Sequence, residues 1–250
     1  MSKLIQIYRH HESIKDPVRG KIPTPEGIAK SNIDGYNASQ QYQGAEVRGY
    51  HSSAIRTEMA LDAYLEGFGS GSKRSLGLLD EVAAPDEVKK LRKKLGDDGS
   101  MKLRLEKYDK EKNQDDLETT VSYYESLHER AKSLVSMIKR EIEDAIKNPE
   151  KNEIVVCYGH EPSLAVSIIE LAKEYLGYDG KSNAEFFKEI TGSGQHYFGE
   201  GTGYAIEVRK EKGKMKIYLI VNNKEIELRE EDSEEEEEGS EEDSEESTEE

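Results

Sequence analysis

The side chains that could do chemistry in this sequence follow strand-like runs. Residues 3–12 (KLIQIYRHHE) join an apolar, β-prone run to Arg9, His10, His11 and Glu12. Apolar runs of this length that end in polar residues predict a buried strand. Open α/β sheets bind ligands just beyond the carboxyl ends of their strands. We therefore expect an active site directly after this first strand.

Two later runs end in the same way. The run 45–51 is followed by two serines and then Arg56, and the run 154–158 (IVVCY) is followed by a glycine and His160. Both turns lead into predicted helices, whose N-terminal ends favour anions. The planar guanidinium group of arginine presents donors whose spacing matches phosphate oxygens. Each charge-assisted hydrogen bond between the two contributes roughly 1.5–3 kcal/mol. Two arginines and two histidines at one edge of a sheet therefore predict a phosphate site.

The elements that must position these groups alternate between strand and helix. Strands are expected at residues 4–8, 45–51, 75–79, 154–158, 204–208, 216–221 and 225–228. Helices are expected at residues 25–43, 54–68, 88–95, 101–108, 121–145 and 162–176. Residues 13–23 are expected to form a loop. Thr24 is expected to cap the first helix, and Ser52 with Ser53 the second. The alternation predicts a three-layer α/β/α fold with a mostly parallel central sheet, an antiparallel edge hairpin and a helical insertion.

Charge divides the chain into a body and a tail. Residues 230–250 hold 15 acidic residues and no basic one, whereas the whole chain of 250 residues has a net charge of −17. The body is thus almost neutral and offers no basic surface for nucleic acid. We predict one catalytic domain at 1–229, in which residues 85–115 form a charged helical insertion or lid. Residues 230–250 are predicted to be a disordered acidic tail, either a solubilising brush or a site for a basic partner.

The single cysteine, Cys157, excludes an internal disulfide and suits a reducing compartment. No apolar stretch approaches 18 residues, so we expect a soluble, cytoplasmic protein that does not bind membranes. A cysteine phosphatase requires an arginine six residues after its nucleophile, and Ser163 occupies that position. Motifs for metal, nucleotide and serine-hydrolase sites are absent from the sequence, so we expect no metal and no cofactor.

The ordered motifs resemble the histidine phosphatase superfamily, which has the phosphoglycerate-mutase-like fold. The resemblance covers roughly residues 3–220 and is carried by Tyr8-Arg9-His10-x-Glu12, Thr24-Pro25-Glu26-Gly27, Ser52-Ser53-Ala54-Ile55-Arg56-Thr57 and Gly159-His160-Glu161-Pro162. It implies that His10 is a nucleophile that is transiently phosphorylated. It also implies that Arg9, Arg56 and His160 bind the phosphoryl group and that His160 takes part in catalysis.

A nucleophilic histidine must be neutral, and an unperturbed imidazole has a pKa of about 6.5. Nearby cations disfavour its protonation and stabilise the transferring phosphoryl group. An acid must then protonate the leaving oxygen, which typically contributes ~10²–10⁴-fold. In many members of the superfamily this acid lies in a Leu-x-Glu setting after the next short strand. Leu79-Asp80-Glu81 matches that setting, which makes Glu81 the first choice and Asp80 the second.

The sequence departs from the family pattern at His11, where a small residue is usual. We expect His11 to narrow the pocket or to contact substrate, and Glu12 and Asp80 are further candidates for substrate contact. The extended insertion of true phosphoglycerate mutases is absent, which favours hydrolysis. The resulting hypothesis is a metal-independent phosphatase for a phosphorylated small molecule or phosphoprotein. The alternatives are a phosphotransferase or mutase, and a non-catalytic phosphate-binding scaffold with an acidic interaction tail.

Overall fold

The structure is a computed structural model that describes residues 2–109, 118–177 and 181–231. Within these ranges the chain forms the strands β1 (Ser2–Arg9), β2 (Ser13–Asp16), β3 (Gly20–Pro23), β4 (Glu46–His51), β5 (Ser72–Ser75), β6 (Glu153–Gly159), β7 (Gly203–Glu211), β8 (Lys214–Val221) and β9 (Lys224–Glu231). The helices are α1 (Pro25–Gln41), α2 (Ile55–Phe68), α3 (Asp86–Asp109), α4 (Glu118–Lys147), α5 (Ser163–Leu176) and α6 (Asn183–Thr191).

Seven strands form the central sheet in the order β5-β4-β6-β1-β7-β8-β9. The first four strands run parallel, and β7, β8 and β9 add an antiparallel meander at one side. Every residue of β6 is buried, as expected for a parallel strand that is covered on both faces. The predicted three-layer α/β/α fold is confirmed, and its antiparallel part comprises three strands.

Alternate residues of the strands feed two cores on opposite faces of the sheet. On one face Leu4 and Val156 pack with Tyr64 of α2. On the other face Ile5 and Cys157 pack with residues of α4 and α5, including Ile138 and Leu164. Cys157 is fully buried in this second core.

The helices α1 and α2 approach each other through glycine. A Cβ atom on Gly35 would lie 2.0 Å from the carbonyl oxygen of Tyr64, and one on Gly67 would lie 1.9 Å from that of Asn32. The buried face of α1 consists of small residues, namely Gly27, Ser31, Gly35 and Ala38. The two backbones are therefore in direct contact, and the interface leaves only a weak hydrophobic pattern in the sequence.

Two regions differ from the sequence predictions near the site. Residues 13–23, predicted to be a loop, form the hairpin β2–β3, in which the carboxylate of Asp16 accepts hydrogen bonds from two backbone amides of the turn. The strand predicted at 75–79 lies earlier, at 72–75. These four residues are exposed and pair with β4 as a polar edge strand, whereas Gly77–Leu79 form a 3₁₀ turn that buries Leu79.

Helix α6 was absent from the predictions, although its sequence carries a start signal. Ser182 and Glu185 form a capping box, in which each side chain bonds to the backbone of the other residue. This Ser-x-x-Glu spacing is a recognised helix start. Phe187 and Ile190 then bury one face of the helix in the main core.

The two helical pieces predicted between residues 88 and 108 are the two halves of α3. They meet at Gly96, whose φ of 71° lies in the left-handed region that favours glycine. Met101 and Leu105 of the second half are buried in the main core, and Val88 of the first half packs against α4. The predicted insertion is therefore anchored through both halves of α3, while residues 110–115 of it lie outside the described residues.

The last strand ends at Glu231, two residues into the predicted tail, and residues 232–250 lie outside the described residues. Among the helices of the described ranges, none combines the length and the apolar character needed to span a membrane.

Candidate active site

The candidate site lies where three adjacent parallel strands end. Arg9 at the end of β1 pairs in register with Gly159 at the end of β6, and His51 at the end of β4 pairs with Tyr158. The backbone amide of His10 donates to the carbonyl oxygen of Gly159 at 3.3 Å. The predicted phosphate-site residues that follow these strands are thus brought to one edge of the sheet.

His10 is 8% exposed and lies at the centre of this edge. Its Nδ1 is 2.7 Å from the carbonyl oxygen of His11. Because a carbonyl oxygen only accepts hydrogen bonds, Nδ1 carries the proton and Nε2 keeps its lone pair. Burial lowers the pKa of His10 to about 3, and His160, Arg56 and Arg9 act in the same direction against the hydrogen bond to His11. The ring is therefore neutral at physiological pH.

His160 packs edge-on against His10, with ring centroids 5.1 Å apart. Its Nδ1 lies 3.2 Å from Nη2 of Arg56, and its Nε2 lies 2.9 Å from Oγ of Ser52. A guanidinium group only donates, so Nδ1 accepts and Nε2–H donates to the serine. Burial and the charge of Arg56 lower the pKa of His160 to about 3, although Asp80 raises it.

Ser52 positions His160 and does not cap a helix as predicted. Its hydroxyl also lies 2.7 Å from the Thr57 hydroxyl, which donates to the Ala54 carbonyl oxygen. Helix α2 begins with Ala54 as its N-cap, and that residue makes no capping bond through its side chain. Ser52 and Thr57 have no exposed surface, so this network fixes the orientation of the His160 ring.

Arg56 has a donor without a partner. Its Nη2 bonds to Glu81 at 2.8 Å and to His160, whereas its Nε is buried and has no hydrogen-bond partner among the described residues. A buried donor without a partner costs about 1–3 kcal/mol. An anion that accepts from Nε would relieve this cost.

Arg9 is held by the segment that follows α6. Its Nη1 donates to the carbonyl oxygen of Phe198 at 2.7 Å, and its Nη2 lies 3.6 Å from Glu200. The charge of Arg9 lowers the pKa of both His10 and His160. Arg9, Arg56 and the two histidines therefore lie close enough to act on one another electrostatically.

Both carboxylate candidates lie beside this group in different roles. Glu81 is largely exposed and pairs with Arg56. Asp80 accepts a hydrogen bond from the backbone amide of Ser53 and is near enough to His160 to raise its pKa. Arg130 of α4 holds the turn that carries both carboxylates, since it donates to the carbonyl oxygens of Gly77 and Asp80.

His11 and Glu12 point elsewhere. His11 is 3% exposed and packs against Gly201, where a Cβ atom would lie 2.0 Å from its Nδ1. Its ring centroid is 6.4 Å from that of Tyr158 in the core. Glu12 is exposed, and its backbone carbonyl bonds to the amide of Thr24, the residue that caps α1 as predicted. Neither side chain joins the group around His10.

No protein-family model and no curated protein matches this sequence. Solved structures do match, and among them mycobacterial hydrolase 2 is 10% identical, with 91% of this chain and 93% of that chain covered and a TM-score of 0.51. A mycobacterial glucosyl-3-phosphoglycerate phosphatase is 10% identical, with 83% and 91% covered and a TM-score of 0.49. The protein histidine phosphatase SixA, in complex with tungstate, is 13% identical, with 92% and 96% covered and a TM-score of 0.39.

Among these three structures, only mycobacterial hydrolase 2 has a TM-score above 0.5, and this likeness shows that the chain shares the overall fold of that protein. In this fold, the motif residues Arg9, His10, Arg56 and His160 lie at the carboxyl edge of the parallel strands.

Sequence reasoning missed a cleft that shares Arg9 with the candidate site. The cleft has a volume of about 60 Å³ and is lined by Arg9 and Glu161 together with Arg92 and Arg104 of α3. Glu161 adjoins His160 in the chain, but only its burial distinguishes it from the many other acidic residues. Arg104 lies in a highly charged segment, where the sequence offers no sign of which cation faces inward.

A group of carboxylates with metal-ligand spacing lies near the other end of the sheet. Atoms of Glu141, Asp144 and Glu153 lie within 4.8 Å of one another. The ammonium group of Lys3 lies 2.6–2.9 Å from all three. This cation already occupies the position that a metal ion would take.

Proposed function

We propose that this protein is a phosphatase that hydrolyses a phosphomonoester through a phosphohistidine intermediate on His10, without a metal ion. The observation that carries the proposal is the state of His10. The ring is buried and neutral, its Nδ1–H is fixed by the His11 carbonyl, and its Nε2 retains a lone pair beside Arg56 and His160. A positioned neutral imidazole is a competent nucleophile.

In the first step, the lone pair of His10 Nε2 attacks phosphorus and the bond between phosphorus and the ester oxygen breaks. Arg9 and Arg56 hold the phosphoryl oxygens, and the unpartnered Nε of Arg56 supports its assignment to this role. The phosphoryl group competes with Glu81 for the same Arg56 nitrogen. Glu81, once displaced and protonated, gives its proton to the leaving oxygen, and Asp80 is the second candidate for this acid.

In the second step, water attacks phosphorus, the phosphorus–nitrogen bond breaks and its electron pair returns to Nε2 of His10. The carboxylate that lost its proton accepts one from the attacking water, and inorganic phosphate leaves. Bound phosphate favours a positive charge on His160, whose Nδ1 could then donate to a phosphoryl oxygen. The hydrogen bond between His160 Nε2–H and Ser52 keeps Nδ1 directed at the site.

The test is hydrolysis of p-nitrophenyl phosphate in the presence of EDTA. We expect the full chain to be active and His10→Ala to lose ~10³-fold or more in kcat/KM, because no other group supplies the nucleophile. His128→Ala, a histidine change on α4 outside the site, is the matched control. Acid quenching during turnover of a ³²P-labelled ester should trap an acid-labile phosphoryl group on His10.

Equal rates for the full chain and His10→Ala would refute the proposal. Phosphate binding without turnover in either protein would favour the scaffold alternative. Formation of a phosphorylated alcohol at the expense of inorganic phosphate, with glycerol as an added acceptor, would favour phosphoryl transfer over hydrolysis.

A further inference from the structure

The position of Arg9 depends on the segment between α6 and β7. Its Nη1 donates to the carbonyl oxygen of Phe198 at 2.7 Å, the one hydrogen bond that its guanidinium group makes with the described residues. The backbone of β1 is bound to the same segment, since the amide of Arg9 donates to the carbonyl oxygen of Thr202 at 2.9 Å. The position of Phe198 therefore sets the position of the guanidinium group.

Glu161 binds the other backbone group of Phe198. Its Oε1 accepts from the Phe198 amide at 2.8 Å, so one residue links the carboxyl group of Glu161 to Arg9. Phe198 is buried, and its ring contacts those of Phe187 and Tyr204, with centroids 5.3 and 5.9 Å away. A buried amide that loses its acceptor is costly, so removal of the Glu161 carboxyl group favours a shift of this backbone.

Glu161 also lies in the turn that carries His160. This turn joins β6 to α5, and Glu161 follows His160 directly in the chain. His160 and Arg9 both bind the phosphoryl group in the proposed mechanism. The turn and the guanidinium group are therefore connected through one buried carboxyl group and one backbone residue, Phe198.

The charge of this carboxyl group changes near neutral pH. Burial raises the pKa of Glu161 to about 7. The groups that lower it are two backbone amides and two cations, namely those of Phe198, Ala165, Arg9 and Arg104. Tyr204 also acts on Glu161 electrostatically, but burial raises the pKa of this phenol and keeps it uncharged. Glu161 can accept from the Phe198 amide in either state, because the neutral acid keeps a carbonyl oxygen.

We propose that Glu161 is a positioning residue of the phosphoryl site, which holds Arg9 in place through the backbone of Phe198. This inference rests on the proposed phosphatase function and adds a residue that takes no part in its two chemical steps. Glu161 acts on the reaction only through Arg9. Its neutral form leaves the charge of Arg9 to the phosphoryl group, whereas its carboxylate form opposes an anion at Arg9.

The first experiment is a double-mutant cycle on hydrolysis of p-nitrophenyl phosphate. Glu161→Leu removes the acceptor of the Phe198 amide and should lower kcat/KM about tenfold or more, but by less than about twofold when Arg9→Gln is already present. Glu161→Gln keeps a carbonyl oxygen and should retain most of the activity at pH 6. Glu66→Leu, the same change at an exposed position of α2, is the control and should leave kcat/KM unchanged.

The second experiment compares the pH profiles of the unmodified chain and Glu161→Gln from pH 5 to pH 9. Glutamine does not titrate, so ionisation of the substrate and of other groups cancels in the ratio of the two kcat/KM values. This ratio should fall about threefold or more as pH rises through 7, because only the unmodified chain then gains a negative charge near Arg9. The profile needs only the isosteric variant, so it still decides the matter if Glu161→Leu fails to fold.

Three outcomes would overturn the inference. One is an equal loss from Glu161→Leu with and without Arg9→Gln, as a general structural defect would produce. Another is a Glu161→Gln protein as inactive as Glu161→Leu. The third is a ratio that is constant with pH, since a charge that acts on Arg9 must alter the binding of an anion held by Arg9.

Failure of the phosphatase proposal would look different. If no ester is hydrolysed, calorimetric titration with inorganic phosphate replaces kcat/KM in the same cycle. Weaker phosphate binding by Glu161→Leu, restored in Glu161→Gln and absent as a difference once Arg9→Gln is present, would support the positioning role without catalysis. Equal phosphate binding by the unmodified chain and Glu161→Leu would overturn it.

Discussion

At the scale of single residues, neighbours hold the two site histidines in opposite tautomers. The His11 carbonyl keeps the proton of His10 on Nδ1, whereas Arg56 and Ser52 keep that of His160 on Nε2. The sequence placed both rings at the ends of strands. It could not reveal the tautomers, because these depend on partners that only the folded turns bring within reach.

Nitrogen-15 NMR of the imidazole rings tests this arrangement. We expect Nδ1 of His10 and Nε2 of His160 to carry the protons, and both rings to stay neutral from pH 8 to pH 5. Their pKa values are lowered to about 3, so protonation begins only in strong acid. Assignment through His10→Gln and His160→Gln identifies the signals, and titration of either ring near pH 6.5 would contradict the prediction.

Adjacent serines provide a matched pair for the network around His160. Ser52→Ala removes the acceptor of His160 Nε2–H and should lower kcat/KM for p-nitrophenyl phosphate roughly 10–100-fold, the equivalent of one hydrogen bond to a group that becomes charged. Ser53→Ala is the control, since Ser53 is exposed and its hydrogen bond to Asp80 uses the backbone amide. Similar losses in the two variants would argue against a role for the Ser52 hydroxyl.

At the scale of elements, the helices and strands that the sequence predicts are those whose buried apolar residues recur at regular spacing. Helix α4 buries Leu127, Leu134 and Ile138 at helical spacing, and β6 is apolar along its length. Strand β5 has no apolar residue and exists because its backbone pairs with β4, a non-local contact that local sequence does not encode. Helix α1 shows little apolar pattern because it packs through small residues.

The close contact of α1 and α2 predicts that Gly35→Ala is strongly destabilising. The new Cβ would lie 2.0 Å from a backbone oxygen of Tyr64, and a backbone atom cannot move aside as a flexible side chain can. We expect a loss of about 1–3 kcal/mol or more in the free energy of unfolding. Urea denaturation measures it, with Gly194→Ala as control because a Cβ there meets no atom within 4 Å. Equal stability of the two variants would contradict the packing.

At the scale of the whole molecule, the sheet separates two charged clusters. Cations surround His10 at the carboxyl edge, whereas three carboxylates surround Lys3 near the start of β1. The sequence pointed to the first cluster, because its residues follow recognisable strands. It gave no sign of the second, whose members come from β1, α4 and β6 and meet only when the sheet forms.

Lys3→Met should destabilise the fold by about 3–5 kcal/mol at pH 7, because it leaves the buried Glu153 and the two partly buried carboxylates beside it with one cation fewer. Lys3 lowers the pKa of Asp144; burial raises that of Glu153, but Arg48 and Lys3 outweigh it. Carboxylates with a lowered pKa stabilise the fold above their ordinary pKa, and this contribution is lost as pH falls through the lowered value. The difference in free energy of unfolding between Lys3→Met and the unmodified chain should therefore shrink below about pH 4.

Lys21→Met, at an exposed position of β3, is the control for this change and should leave the free energy of unfolding nearly unchanged. A Lys3→Met protein as stable as the unmodified chain at pH 7 would contradict the prediction. Folded Lys3→Met should retain its kcat, since Lys3 lies at the opposite end of β1 from Arg9.

The burial of Cys157 allows thiol labelling to report how often the sheet around it opens. Burial raises the pKa of this thiol, and the sequence contains no other cysteine. A thiol reagent can then react only when the middle of the sheet comes apart, so the labelling rate in native buffer measures that rare event directly. Oxidants and alkylating agents that disable enzymes through an accessible sulfur should correspondingly leave the intact molecule working.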